Sequence, residues 1–525
     1  MEQPIILCNI PGFGVSSSWK GNAIASADPK NYNLLWKEYF SQMLSPLRVQ
    51  NTPLFDNRGM YLESLFSGVS VKSEREIIND EILSERIFDN EVINNSLVEV
   101  TKSNSSVHLI GNLGGPSGEF GDINNLLSLL KMVKQKNIYK AYVHLILDNS
   151  EGTSFDRISE KLNLLVSKMQ SLGLGEIATI SGSSYLKNWN QSRLEFANFS
   201  KGLKALIQGR GNIYLSSGQA ISQNKAKVSS PEKFPPSVIS YKGRPVGTIS
   251  DLDCVIFYNH NNENISNLIS ALMSGGGRND FSAPKFLSVL TFFDYVMPRD
   301  SHLRTILAKP FYEYLPAILE RNNISQVYIS DSNRLLELKS LLCKDGSEQN
   351  IEQTFYPAPS VDQYMKDPKP AILEIFKHSA NAAGSGQRFI FAHIPALDVI
   401  AATGNFNQAV VATRIIDEYL SILAKKILSL DGKLIITGTY GNAEKMVHRN
   451  EYELLNHRTL SPTPFLLISN QTKAETRSVS IENEAMYDII RKKNNLIDIA
   501  PTILGLLNLP VPNSMTGRNL VGVQK

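Results

Sequence analysis

This sequence has no long apolar run, no cysteine pairing and no surplus of one charge, and each lack removes a class of function. Nothing in it approaches the ~20 consecutive apolar residues that a membrane-spanning helix needs. The opening "MEQPIILCNIPGFG" is a short strand-like run without a basic leader. A cytoplasmic protein with no membrane contact is expected. Cys8, Cys254 and Cys343 stand far apart, too few for a disulfide framework and without zinc spacing, so they read as reduced core thiols. A formal charge of +3 leaves no basic stripe for nucleic acid. The eight histidines are scattered, none at helical ligand spacing, and His108 and His144 sit inside apolar strands as core residues. No glycine-framed serine elbow follows a strand. The glycine loop "GNLGGPSGEFGD" (111–122) lacks both the dinucleotide fingerprint and the P-loop lysine, and reads as a connection.

What is present is a large α/β pattern. Hydrophobic content of 42% with 20% charged residues supports a packed core rather than disorder, and 525 residues exceed one ordinary core, implying two domains or one inserted into another. Strand-length apolar runs recur: "IILCNI", "SSVHLIGN", "KAYVHLILD", "GEIATISG", "DCVIFYN", "SQVYIS", "QRFIFAHIP" and "KLIITG". Helical patterns follow them, which predicts parallel sheets covered on both faces, with any ligand at the carboxyl ends of the strands. Proline and glycine gather between 233 and 247, and "MPRD" and "KPFYEY" read as connections.

The order of several stretches goes further. "ILCNIPGFG" with "GNAIASADPKNYNLLWKEYF", then "KAYVHLILD", "GEIATISG", "DLDCVIFYN", "TGTYGNAEKMV", "SPTPFLL" and "NNLIDIAPTILGLLNLPVPNSMTGRNLV" resemble cofactor-independent phosphoglycerate mutases of the alkaline phosphatase superfamily, over essentially the whole chain. The resemblance implies an alkaline-phosphatase-like three-layer domain from residues 1–72 and 305–525. A second α/β, phosphotransferase/substrate-like domain (73–304) is inserted into it, with substrate between the two. It also implies glycolytic isomerase chemistry, an intramolecular phosphotransfer in which two divalent cations, usually manganese, activate a serine, and a monomeric protein.

The family's site residues do not carry over. Pro11 stands at the first aspartate ligand, Arg58 at the nucleophilic serine (with Ser64 close by), Ala402 at a histidine ligand, Thr439 and Tyr440 at an aspartate–histidine pair, and Arg458 at the last histidine, with His457 one residue away. Asp398 alone matches, far short of a divalent-ion ligand set, so no metal cofactor is expected; manganese is implied only if the family activity survives. In the inserted domain, Ser150 and Glu151 lie in "DNSE" where the family has arginine and aspartate, Ser183 and Trp189 replace arginines, as do Asn261 and Asn264, and Arg334 stands for a lysine. Loss of a nucleophile alone costs a factor on the order of 10⁶ in turnover. The expected function is therefore a pseudoenzyme that binds an unknown protein or small-molecule partner. A surviving mutase, or a metal-free enzyme using Tyr440, Asp398 and Glu151, stays open as the alternative. Charge makes one structural expectation: Arg58 and Arg458 enter the space of the missing cations and pair with Asp398, against a solvated Arg58.

Overall fold

The computed structural model describes residues 3–47, 58–113, 123–148, 154–187, 193–260, 265–274, 284, 288–293, 302–331, 351–356, 359–447, 458–473 and 494–522. The chain forms two compact units, one from residues 1–50, 54–72 and 311–525 and the other from 51–53 and 73–310.

The first unit is built on a seven-stranded sheet in the order Ile351–Tyr356, Gln326–Asp331, Phe389–His393, Ile5–Asn9, Lys433–Thr437, Thr463–Ile468, Phe40–Leu44. The first five run parallel; Thr463–Ile468 is antiparallel to both of its neighbours. The central strand shows why the sequence reads as a continuous apolar run. Ile6 and Cys8 join one buried cluster with the helix Phe406–Ser429, whereas Ile5 and Leu7 join another with the helices Arg58–Ser67 and Ile499–Leu506. Both faces are covered, the arrangement that parallel strands require. Full burial of each such side chain contributes about 1.5–3 kcal/mol.

The 24-residue helix Phe406–Ser429 starts at Asn405, whose side chain accepts from the Gln408 amide, and buries Ala409, Ala412, Ile416, Leu420, Leu423 and Ile427 at helical spacing. Asp417 on the same helix is buried and reaches across to the helix Lys30–Glu38. That helix begins after Pro29, which makes no side-chain cap, and the Asp417 carboxylate instead accepts from the amides of Asn31 (3.2 Å) and Tyr32 (2.7 Å) and from Asn31 Nδ2 (3.0 Å). A carboxylate thus supplies the cap from a point distant in sequence.

The second unit has its own sheet, in the order Leu303–Thr305, Ser288–Thr291, Cys254–Phe257, Val107–Asn112, Ala141–Leu147, Glu176–Gly182, Ser237–Tyr241, Asn212–Tyr214, with Arg244–Pro245 pairing off Ser237–Tyr241. Within the stretch 233–247, where proline and glycine gather, lie the strands Ser237–Tyr241 and Arg244–Pro245. Glycine and proline there mark the turn of a short antiparallel pair. His108 and His144 are buried core residues, joined to Asp253 and Thr179 in one hydrogen-bonded line. Among the described residues no helix is long and apolar enough to cross a membrane.

Candidate functional site

Three neighbouring strands of the first unit, Phe389–His393, Ile5–Asn9 and Lys433–Thr437, end side by side, and their carboxyl-end loops build the site. The central loop passes through Pro11 to Gly12, whose φ of +84° suits a residue without a side chain. A Cβ on Gly12 would lie 3.1 Å from the Asp398 Cα, so this glycine also permits close approach of the two loops. Gly12 N–H donates to the Tyr440 carbonyl (3.0 Å), and its own carbonyl accepts from the amides of Asn442 (3.2 Å) and Ala443 (3.0 Å). The Thr459 amide then donates to the Gly441 carbonyl at 2.9 Å and extends the seam to the segment carrying Arg458.

Asp398 lies in the first turn of the helix Ala396–Ala401 and is 2% exposed. The Tyr440 hydroxyl donates to its Oδ2 at 2.9 Å and Asn442 Nδ2 donates to its Oδ1 at 3.0 Å. The Arg458 guanidinium approaches Oδ2 at 3.8 Å and lies over the Tyr440 ring, 4.3 Å from its centroid. The Tyr61 ring packs on the other aromatic at 5.2 Å between centroids; burial pushes the Tyr61 phenol up, and the nearby Arg458 charge offsets part of that. The expected Arg458–Asp398 pair is therefore present.

Glu444 braces the same loops and is fully buried. Thr459 Oγ1 donates to its carboxylate, as does Ser461, and these bonds counter a burial that raises its pKa above the ordinary carboxylate range. Gly14 and Gly441 both pack directly on this carboxylate, where a Cβ would collide with it. Beneath the loops, Asn9 Nδ2 and His393 Nδ1 meet at 3.0 Å.

Of the residues singled out from the sequence, Pro11, Asp398, Ala402, Thr439, Tyr440 and Arg458 all fall in or beside this loop cluster. Pro11 and Thr439 are buried, and Ala402 caps the Asp398 helix, its amide bonded to the Asp398 carbonyl. Arg58 begins the helix Arg58–Ser67, and its side chain lies outside the described residues. Ser64, on that helix, is fully buried and its hydroxyl accepts from the Val71 amide at 3.1 Å. His457 is outside the described residues. Asn442 and Glu444 were not singled out from sequence, although they lie in the quoted "TGTYGNAEKM"; only their burial against Asp398 and Thr459 marks them.

Among the described residues the donor set around Asp398 does not suit a divalent cation. Asp398 is engaged by a phenol, an amide and a guanidinium, Glu444 by the hydroxyls of Thr459 and Ser461, and arginine supplies positive charge rather than a lone pair. Among the described residues no group of three or more His, Cys, Asp or Glu side chains could hold a metal ion.

In the second unit, the carboxyl ends of Val107–Asn112 and Cys254–Phe257 are tied by paired amides. Asn259 Oδ1 accepts from the Asn112 amide (2.7 Å), Asn259 Nδ2 donates to Asn112 Oδ1 (3.0 Å), and Asn112 Nδ2 donates to Asp148. Ser183 opens the tight turn Ser183–Tyr185. Ser150, Glu151, Trp189, Asn261, Asn264 and Arg334 lie outside the described residues. A cavity of about 390 Å³ lined by Ser106, Tyr142, Ser250 and Asp253 sits at the amino ends of the strands, away from these amides.

Comparison with known proteins bears on this geometry. Residues 78–297 match the family model described as BPG-independent PGAM N-terminus (iPGM_N). The chain is 26% identical over 539 residues to the 2,3-bisphosphoglycerate-independent phosphoglycerate mutase of Clostridium botulinum (strain Langeland), covering 99% of each chain. It is 27% identical over 543 residues to the protein of the same name from Clostridium perfringens (strain 13), again covering 99% of each. In fold it is similar to a crystal structure of Leishmania mexicana phosphoglycerate mutase at low cobalt concentration, with a TM-score of 0.69, 18% identity and coverage of 99% of this chain and 98% of that one. From end to end, the chain is thus similar to 2,3-bisphosphoglycerate-independent phosphoglycerate mutases, and its α/β fold is that of the Leishmania mexicana phosphoglycerate mutase.

Proposed function

We propose that this phosphoglycerate mutase-like protein does not transfer phosphate and instead acts by binding a protein or small-molecule partner. The observation that carries the reading is the state of Asp398, a buried carboxylate whose oxygens are taken by Tyr440 and Asn442 with the Arg458 guanidinium alongside. A guanidinium held this close opposes a dication by charge, and Pro11, Ala402 and Thr439 add no charged donor near it. No resident metal is expected on this reading, and manganese belongs only to the alternative. The core clusters of both units supply the packed scaffold that a binding protein needs. In keeping with this reading we place the protein in the cytoplasm, as a monomer, with neither nucleic acid nor membrane as partner.

The rival reading, an active mutase, is supported by full-length likeness to proteins of that name. Metal-free chemistry has a narrower basis, the Tyr440–Asp398 hydrogen bond, in a spot where both side chains are buried. Dialysis of purified protein against manganese, followed by elemental analysis, separates the readings. Sub-stoichiometric retention, unchanged by 3-phosphoglycerate, is the expected result; two equivalents retained with substrate would restore the mutase.

A further inference from the structure

We propose that the Asp398 site is an organic-cation site whose ligand is tethered: the Arg458 side chain fills it, and shortening that side chain leaves a place for a free planar monocation of the guanidinium class. The inference rests on the preceding reading in that the site is taken to work without a metal ion.

A carboxylate that is 2% exposed requires compensation for its lost hydration. Tyr440 and Asn442 supply neutral donors, one to each oxygen, and neither brings charge. Arg458, itself 5% exposed, brings the charge in a shape that the surroundings fit. It lies over the Tyr440 ring, 4.3 Å from its centroid, while remaining 3.8 Å from Asp398 Oδ2, so the cation meets a π-system and an anion at once. Guanidinium tolerates such a place because it is planar and weakly hydrated; a lysine ammonium is compact and strongly hydrated and gains less there. The walls do not depend on Arg458. Tyr440 is held by the Gly12 amide at its carbonyl, by Asp398 at its hydroxyl and by the Tyr61 ring. The backbone following Arg458 is pinned by the Thr459–Gly441 hydrogen bond. Removing the side chain therefore removes the cation and leaves its frame.

Thermal unfolding of the full chain tests this through Arg458→Ala, Arg458→Lys, Asp398→Asn and the double variant Arg458→Ala/Asp398→Asn. The expected loss for Arg458→Ala is on the order of 5–10 °C in Tm, because a buried anion loses its partner. Arg458→Lys recovers less than half of that loss. In the Asp398→Asn background the same truncation costs much less, since no anion is left to compensate. Ethylguanidinium at about 10 mM raises the Tm of Arg458→Ala, by mass action on the folded state, while sodium and tetramethylammonium at equal concentration do not. Equal losses in both backgrounds, or a response to ethylguanidinium no larger than to sodium, would overturn the proposal. If Arg458→Ala does not yield folded protein, the same comparison is made with Arg458→Gln and Arg458→Lys. Phosphoglycerate turnover by the unaltered chain would sink the functional reading while leaving this coupling in place, and a missing coupling would sink this inference without restoring turnover.

Discussion

Acid should loosen the second unit through His144, and the direction and size of the effect follow from one buried line of hydrogen bonds. Asp253 can only accept, so His108 Nε2 carries the proton facing it at 3.1 Å. His108 Nδ1 then accepts from His144 Nε2 at 2.9 Å, and His144 Nδ1 accepts from the Thr179 hydroxyl at 2.9 Å. Each neutral ring has one proton and one place for it. Burial, and secondly the nearby His108, lower the His144 pKa well below the ordinary histidine value. A folded pKa below the unfolded value of about 6.5 means that the unfolded chain binds more protons as the pH falls through that value. Stability is therefore retained above about pH 6.5 and lost below it. A histidine that takes up its proton only in the unfolded chain loses about 1.4 kcal/mol between pH 7.5 and pH 5.5, which is the most that His144 can contribute over that range. The assay is urea unfolding at the two pH values for the unaltered chain and for His144→Gln, which keeps a polar group but cannot titrate. The difference of differences reports the His108–His144 pair, because groups away from that line titrate alike in both proteins. If His144→Gln retains the full pH dependence, the buried neutral histidine is not its source and the tautomer assignment fails.

Further outcomes are expected from other buried carboxylates. Asp417→Ala removes the acceptor for the first amides of the helix Lys30–Glu38 and should cost about 2–3 kcal/mol in urea unfolding, with Asp417→Asn recovering part of it; a loss below about 0.5 kcal/mol would show that the helix end does not need this cap. Glu444, whose raised pKa means that burial favours its neutral form, should accept Glu444→Gln with a change within about 1 kcal/mol at pH 7.5, whereas Glu444→Ala leaves the Thr459 and Ser461 hydroxyls without their acceptor and should cost about 2–3 kcal/mol. Equal losses for the two Glu444 variants would contradict the neutral-form argument.

The strands read most plainly from the sequence were those buried on both faces. "IILCNI", "SQVYIS", "QRFIFAHIP" and "KLIITG" are continuous apolar runs because each alternate residue meets a different core cluster. Phe40–Leu44 and Ile351–Tyr356, the two edges of the same sheet, carry polar residues and escaped notice. Ser237–Tyr241 was hidden by the prolines before it and the glycine turn after it, signals that mark a loop and a hairpin equally. At the site, the clustering of Pro11, Ala402, Thr439 and Tyr440 around Asp398 was legible by position, and the Arg458–Asp398 pair by charge. The rest was not legible, for a physical reason: the roles of Asn442 and Glu444 depend on burial against chain segments that only the fold brings near. Asp417 is the extreme case, since it caps a helix 386 positions away.

On the proposed function, phosphoryl transfer of the phosphoglycerate mutase kind is not expected from this chain. Purified protein should be assayed with manganese for conversion of 3-phosphoglycerate to 2-phosphoglycerate, beside an active family member. No turnover above background is the predicted result, with the companion enzyme active in the same buffer. Turnover that disappears on Asp398→Ala would contradict the account.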